Sequence, residues 1–196
     1  MKHLVQTFIA LFILNTSLMA QKGFEVQKEI TINVSADQLW TMVGPGFIDV
    51  HKWASNVDHA TGGGSPEFEG AVCSERFCDV DVKGFSKISE KLTNYSEKNM
   101  NLAYEVREGM PGFITKAVND WTVVPVNDTQ SKLVMKAEFG SKGFMGWLTR
   151  GMMEKKMNSL LDTVLNDAKI YAETGNVSSS KEKRMAELSR KMKKAA

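Results

Sequence analysis

The fold of this chain is decided by residues 144–172, FMGWLTRGMMEKKMNSLLDTVLNDAKIYA. Apolar residues recur there at steps of three and four, a spacing that places them on one face of a long helix. The residues that form this face are Met153, Met157, Leu160, Val164, Ala168 and Tyr171. Because an apolar helix face must pack against another element, the rest of the chain has to supply a partner surface.

That partner is predicted to be a sheet, because residues 27–139 consist mostly of short strand patterns. A first strand near Val26 is followed by a capping box, Ser35 to Gln38, and by two short helical pieces that end near Asn56. Brief turns then separate five runs typical of strands, which are residues 71–82, 85–95, 101–107, 115–126 and 132–139. Turns this short favour an antiparallel meander. We therefore predict an α+β fold in which a curved antiparallel sheet wraps around the long C-terminal helix.

Composition and charge define the limits of the folded domain. The chain has 196 residues, of which 42% are hydrophobic and 24% charged, as in ordinary globular proteins. Residues 21–175 carry 17 basic and 21 acidic side chains, whereas residues 176–196 carry seven and two. We expect one domain over 21–175, no nucleic-acid partner, and a basic, flexible tail over 176–196. Because Met185, Leu188 and Met192 give only a narrow apolar stripe, we expect the tail to be at most a solvated or frayed helix. The alternative is a helix on an anionic membrane surface.

The first twenty residues have the layout of a secretory signal peptide. Lys2 and His3 precede an apolar run from Phe8 to Leu14, and small and polar residues lead to Ala20. Cleavage after Ala20 would export the protein to the periplasm or the medium. The alternative is an uncleaved anchor, although the apolar run is shorter than the ~20 residues that span a bilayer.

Export affects how the two cysteines, Cys73 and Cys78, are interpreted. An oxidising compartment permits a disulfide between them. In a straight strand their Cα atoms would lie roughly 16 Å apart, more than a disulfide allows. A disulfide therefore requires residues 74–77 to form a turn or bulge. We predict the disulfide over the alternative of two free thiols, because exposed free thiols are a liability after export.

The order of elements resembles the START and polyketide-cyclase superfamily (SRPBCC), which includes the birch pollen allergen and has a fold called helix-grip. The resemblance covers most of residues 25–174. It is carried by the long final helix and by the segments ITINVSADQLWTMV, DVHKWASNV, FSKISEKLTNY, NLAYEV and NDWTVVPV. It implies a hydrophobic ligand held between sheet and helix. We expect no cofactor, and no metal, because His51 and His59 lack a third ligand.

Alternation along the strands, together with the helix face, selects the side chains of the predicted pocket. Ile88, Glu90 and Leu92 share a strand face, and their two apolar members direct it inward. The predicted ligand-binding residues are Trp53, Glu90, Leu92, Tyr104, Val106, Met135, Met153, Met157 and Leu161. Methionine suits an adaptable binding surface. The alternative for each apolar residue is plain core packing.

Glu90 is the main candidate for polar chemistry, because the resemblance places the glutamate of this strand in the cavity. Three roles are open: contact with a polar group of the ligand, pairing with Arg76 or Lys136, or general acid/base catalysis. Asp120 is a second possible pocket acid.

Two loops resemble the gates that cover the pocket mouth in the plant abscisic acid receptors, which belong to this superfamily. One spans Val82 to Phe85 and includes Gly84, and the other, EGMPGF, includes Met110, Pro111 and Phe113. The alternative for both is an ordinary turn.

Three functions follow from these features. The first is an exported, monomeric carrier of a small hydrophobic ligand. The second is a cyclase or dehydratase that uses Glu90, and the third is an interaction protein whose basic tail binds an anionic surface.

Overall fold

The computed structural model describes residues 23–82 and 85–195. The predicted signal peptide and Gly84 of the first gate loop lie outside the described residues. Within them, seven strands form one sheet: β1 (Phe24–Ile32), β2 (Val57–Gly63), β3 (Glu75–Val82), β4 (Phe85–Ser96), β5 (Asn101–Glu108), β6 (Ile114–Asn127) and β7 (Gln130–Ser141).

The sheet is antiparallel throughout and has the order β1-β7-β6-β5-β4-β3-β2. After β1 the chain crosses to the opposite edge, and β2 to β7 then return as a meander. Register shifts interrupt four of the six pairings, and such bulges bend and twist strands. The predicted helix-grip architecture, a curved sheet wrapped around a long C-terminal helix, is confirmed.

The helical elements of the described residues are α1 (Ala36–Val43), a 3₁₀ helix (Pro45–Lys52), α2 (Gly143–Thr174) and α3 (Ser179–Ala195). Ser35 caps α1, since its hydroxyl oxygen accepts a hydrogen bond from the Gln38 amide at 3.3 Å. Among the described residues, no helix combines the length and hydropathy needed to cross a bilayer.

Helix α2 has 32 residues, about 48 Å of helix, and only its C-terminal half is deeply packed. Leu161, Val164, Leu165 and Ala168 are buried in the core. Met153 and Met157, earlier on the predicted apolar face, are half-buried. The same helix therefore anchors the fold at one end and borders partly open space at the other.

Asp167 explains how the buried end of α2 is held. Its carboxylate is fully buried, accepts a hydrogen bond from the Ser55 amide at 2.8 Å and accepts a second from the Ser178 hydroxyl. Ser178 in turn accepts a hydrogen bond from the Lys181 amide in the first turn of α3. One carboxylate thus joins α2 to the segment before β2 and to the start of α3.

The C-terminal tail differs from the prediction. Residues 179–195 form α3, and its first turns are docked on the edge of the sheet. Lys181 is buried and donates from Nζ to the Val57 carbonyl at 2.7 Å, while Arg184 pairs with Asp58 and with Asp81. The prediction of a flexible tail is wrong for this part, because these cations have partners on β2 and β3, more than 100 residues away.

The disulfide prediction is also wrong. Cys73 and Cys78 are both free and buried. Residues 75–79 pair with β4 without interruption, so the turn or bulge that a bond would require does not occur between the two cysteines. Burial raises the pKa of the Cys78 thiol to about 12, which keeps the thiol protonated at neutral pH.

Replacing Arg184 with alanine should loosen α3. The guanidinium is mostly buried and pairs with Asp58 and Asp81 on the sheet and with Glu187 of its own helix. Its loss should lower the free energy of unfolding by about 1–2 kcal/mol, a value between those typical of exposed and of buried ion pairs. Hydrogen exchange of the amides of residues 179–190 should accelerate. The matched control is Arg190→Ala, since Arg190 bonds only to the Ala186 carbonyl of its own helix. Equal exchange in both variants would contradict this docking.

Acid should release the same contact. The hydrogen bond from Arg184 holds the pKa of Asp58 below its usual value. The stabilisation is therefore complete above the unfolded-state carboxyl pKa of about 3.9 and is lost as the pH falls through the lower folded-state value.

The two thiols should resist alkylation in the folded protein. At pH 8, iodoacetamide should label neither Cys73 nor Cys78 rapidly, and it should label both when the chain is unfolded without a reductant. The mass of the alkylated, unfolded protein gives the count. An unfolded chain that takes up no label until a reductant is added would show a disulfide instead.

Candidate ligand-binding site

A cavity of about 100 Å³ lies between α2 and the inner face of the sheet. Alternate residues of β3, β4 and β5 form its floor, and α2 covers it. Of the predicted ligand-binding residues, those that line this cavity are Glu90, Tyr104, Val106, Met135, Met157 and Leu161. Met157 and Leu161 are the predicted residues that α2 contributes to this cavity, whereas Met153 does not line it; that they bind a ligand stays a prediction.

A wider groove of about 490 Å³ lies beside residues 149–163 of α2. Met110, Pro111 and Phe113 of the second predicted gate line it, as does Met153. Groove and cavity are adjacent, because they share the lining residues Val82, Met110, Phe139, Met157 and Leu160. This groove is called the mouth groove below.

The polar centre of the cavity is the ion pair between Arg76 on β3 and Glu90 on β4. Arg76 Nε donates to Glu90 Oε2 at 2.6 Å, and the side chains are only 3% and 5% exposed. Arg76 Nη1 also donates to the carbonyl of Phe47 in the 3₁₀ helix at 2.6 Å. Pairing with Arg76 was one of the predicted roles of Glu90; Lys136 instead pairs with Glu25.

Two aromatic rings hold the guanidinium from its faces. The Arg76 carbon Cζ lies 3.8 Å from the ring centroid of Phe47 and 5.0 Å from that of Tyr104. Burial lowers the pKa of Arg76, but the charge and hydrogen bond of Glu90, together with Tyr104 and Cys78, raise it by more, so the net shift is upward and the guanidinium stays charged. Burial raises the pKa of Tyr104, so its hydroxyl stays protonated.

The cavity wall also contains unpaired polar atoms. Trp121 Nε1 and Asn56 Oδ1 are buried and have no hydrogen-bond partner among the described residues, and both side chains line the cavity. A buried donor or acceptor without a partner carries a desolvation cost. A hydroxyl or carbonyl group of a bound molecule is suited to reduce that cost.

Three predicted site residues lie elsewhere. Trp53 is core, 2% exposed and packed against Trp121, and Leu92 is core at 1% exposure beyond the end of the cavity. Asp120 alternates with the inward-facing Trp121, so it lies on the outer face of the sheet, where it accepts a hydrogen bond from Asn101 at 2.7 Å. It is therefore not a pocket acid.

The sequence analysis missed much of the polar lining. Arg76 was considered only as a partner of Glu90, although Arg76, Cys78 and Val80 follow the period-two pattern of one strand face and all line the cavity. That alternation was the available signal. For Asn56 and Asn119 the sequence offers no such signal, because a single amide residue does not indicate whether its side chain faces the cavity or the solvent.

The two predicted gates differ in how far they can be described. Val82 ends β3 and Phe85 begins β4, and residues 83 and 84 of the first loop lie outside the described residues. The second loop contains Gly109, whose φ of 91° favours glycine and whose added Cβ would meet the Lys87 carbonyl oxygen. It borders the mouth groove, and its motion as a gate stays a prediction.

Metal-ligand clusters are not found among residues 23–82 and 85–195: no group of three or more His, Cys, Asp or Glu side chains is placed to hold a metal ion. His51 and His59 lie near each other, with ring centroids 5.7 Å apart.

Comparisons with known structures agree with this architecture. The Zhui aromatase/cyclase from Streptomyces sp. R1128 is 15% identical, with a TM-score of 0.61 over 80% of this chain and 100% of that chain. Norcoclaurine synthase from Thalictrum flavum, solved with dopamine and hydroxybenzaldehyde, is 15% identical, with a TM-score of 0.60 over 79% and 90%. A START superfamily protein from Mycobacterium smegmatis is 15% identical, with a TM-score of 0.57 over 74% and 96%. Identities this low show the fold alone.

The sequence itself gives the family. No curated protein matches the chain. Residues 23–173, however, match the family model described as polyketide cyclase / dehydrase and lipid transport, which spans β1 to the end of α2. The chain belongs to this family.

Proposed function

We propose that this protein is an exported carrier of a small hydrophobic molecule that has one polar end. The ligand lies between the sheet and α2, with its polar end at Arg76 and Glu90 and its apolar body directed along Met157 to the mouth groove. The family description, which names polyketide-modifying enzymes and lipid transport, supports a hydrophobic ligand.

The observation that carries the proposal is a buried ion pair in the wall of an otherwise mostly apolar cavity. A buried pair is costly to desolvate and is often replaceable by apolar residues without loss of stability. The net contribution of such a pair to folding stability is therefore small, because its attraction is offset by the cost of desolvating both charges. To a ligand, however, the pair offers charged groups that form directional hydrogen bonds. Trp121 Nε1 and Asn56 Oδ1 add a donor and an acceptor on the same cavity.

The volumes indicate the shape of the ligand. A cavity of about 100 Å³ holds only a small group, whereas the adjacent mouth groove has about 490 Å³. An elongated molecule that places its polar end inside and its apolar part in the groove fits both. The half-buried Met110, Met153 and Met157 are flexible side chains that can adapt to it.

Export is supported by the first twenty residues, in which Lys2 and His3, the apolar run Phe8–Leu14 and Ala20 follow the order of a signal peptide. The proposal therefore includes a mature chain that starts at Gln21.

Native mass spectrometry of the protein purified from an exporting host tests both parts. We expect a chain that starts at Gln21 and carries an apolar molecule, which organic extraction releases. A chain that retains Met1 would contradict export, and a ligand-free chain that binds no lipid or polycyclic compound would contradict the carrier function.

Filling the cavity should block binding. Val106 lines it, so Val106→Phe should reduce the bound fraction of the co-purified molecule at least about tenfold, because the added ring occupies the ligand's space. The matched control is Val124→Phe, since Val124 is 40% exposed. Equal occupancy in both variants would place the ligand outside the cavity.

A second candidate is a cyclase or dehydratase, favoured by the position of Glu90 beside Arg76 and Tyr104 on one cavity wall. There the carboxylate would move a proton next to a substrate carbonyl, which a cationic or hydroxyl group can polarise. Glu90→Gln should then abolish turnover of a β-keto thioester while binding of the substrate survives. Loss of binding without turnover in either form would favour the carrier. Thermal unfolding measured in parallel identifies a variant that fails to fold.

A further inference from the structure

The first three turns of α2 project from the domain with an apolar surface. Of residues 143–152, only Gly146 is buried. The exposed large apolar side chains, called the α2 patch below, are Phe144 (69% exposed), Met145 (49%), Trp147 (60%), Leu148 (57%) and Met152 (53%). A contiguous apolar patch is uncommon on a soluble surface and marks an interaction site.

The patch has an ordered arrangement. Phe144, Leu148 and Met152 follow one another at steps of four, so they form a stripe along the helix. The rings of Phe144 and Trp147 lie 5.8 Å apart between centroids and extend the stripe to one side.

Basic side chains surround this stripe. Lys142, Arg150, Lys155 and Lys156 lie within or next to it, against the single acidic residue Glu154. None of the four cations forms an ion pair with a described residue. The projecting turns therefore present unpaired positive charge together with Trp, Phe and Leu side chains.

We propose that the α2 patch docks the protein on an anionic phospholipid membrane. Aromatic and aliphatic side chains enter the boundary between headgroups and acyl chains, while Lys and Arg attract anionic lipids. The charge favours a membrane over a second copy of this chain as the partner. Four cations without ion pairs on one short segment complement an anionic lipid surface, whereas they would repel one another across a two-fold interface of identical chains.

The position of the patch relates docking to the cavity. Met152 belongs to the α2 patch and also lines the mouth groove. Its helix neighbours Thr149 and Lys156, which are not part of the patch, line the groove as well. A membrane that contacts the patch therefore lies against the mouth groove, through which an apolar molecule could pass without crossing water. Docking itself does not depend on the proposed carrier function.

The basic tail is the competing location for membrane contact. In α3, Lys181 and Arg184 are engaged by the Val57 carbonyl and by Asp58 and Asp81. Met185 and Met192 are exposed, at 52% and 72%. The experiment must therefore separate α2 from α3.

Vesicle co-sedimentation tests the proposal, with vesicles of equal parts phosphatidylglycerol and phosphatidylcholine compared with pure phosphatidylcholine. The purified chain should bind the anionic vesicles more tightly. Trp147→Ser with Leu148→Ser should weaken that partitioning at least about tenfold, since two large apolar side chains no longer enter the lipid. Lys155→Gln with Lys156→Gln should weaken it about fivefold per charge and reduce its salt dependence.

Val126→Ser is the matched control, because Val126 is 50% exposed on the hairpin between β6 and β7, and it should leave partitioning unchanged. Mass spectrometry establishes that all variants start at the same residue, so the first twenty residues contribute equally. Unchanged partitioning of the Trp147/Leu148 variant would overturn the proposal. A loss of vesicle binding that occurs only in the Met185→Ser, Met192→Ser variant would also overturn it. So would an unsubstituted chain that forms a dimer through the α2 patch and does not bind vesicles.

Discussion

The buried ion pair between Arg76 and Glu90 is the constraint on which the rest of the site depends. Removing either partner leaves an uncompensated charge, which typically costs about 3–5 kcal/mol. The pair joins β3 to β4. Arg76 also contacts the 3₁₀ helix, through its hydrogen bond to the Phe47 carbonyl, and β5, through the Tyr104 ring. Four elements are thus held around one guanidinium, and the cavity is formed above it.

Helix α2 performs three tasks along its length, and each follows from its surroundings. Asp167 and its buried neighbours fix the C-terminal part, Met157 and Leu161 cover the cavity, and the first turns project with Trp147 exposed. The helix therefore connects a rigid core to the cavity and the cavity to a proposed membrane surface. Helix α3, held by Arg184, braces the edge of the sheet next to Asp81, which also borders the mouth groove.

Periodicity predicted the fold well, because strand alternation and helix spacing depend only on local sequence. It placed Glu90 on the inner face correctly. It failed where partners are distant in sequence: Arg184 finds Asp58 only in the folded chain, so the tail was predicted to be flexible. It also failed for Asp120, because the side chain that faces inward at this point of β6 is that of its neighbour Trp121. Cavity shape was beyond prediction, since Leu92 and Val106 are equally apolar and only Val106 lines the cavity.

The most direct test of the account is a crystal structure of the protein purified from an exporting host without removal of bound molecules. The account predicts continuous density that starts within hydrogen-bonding distance of Arg76 or Glu90 and runs past Met157 into the mouth groove. A cavity that holds only water, or one closed by the side chains of α2, would contradict it.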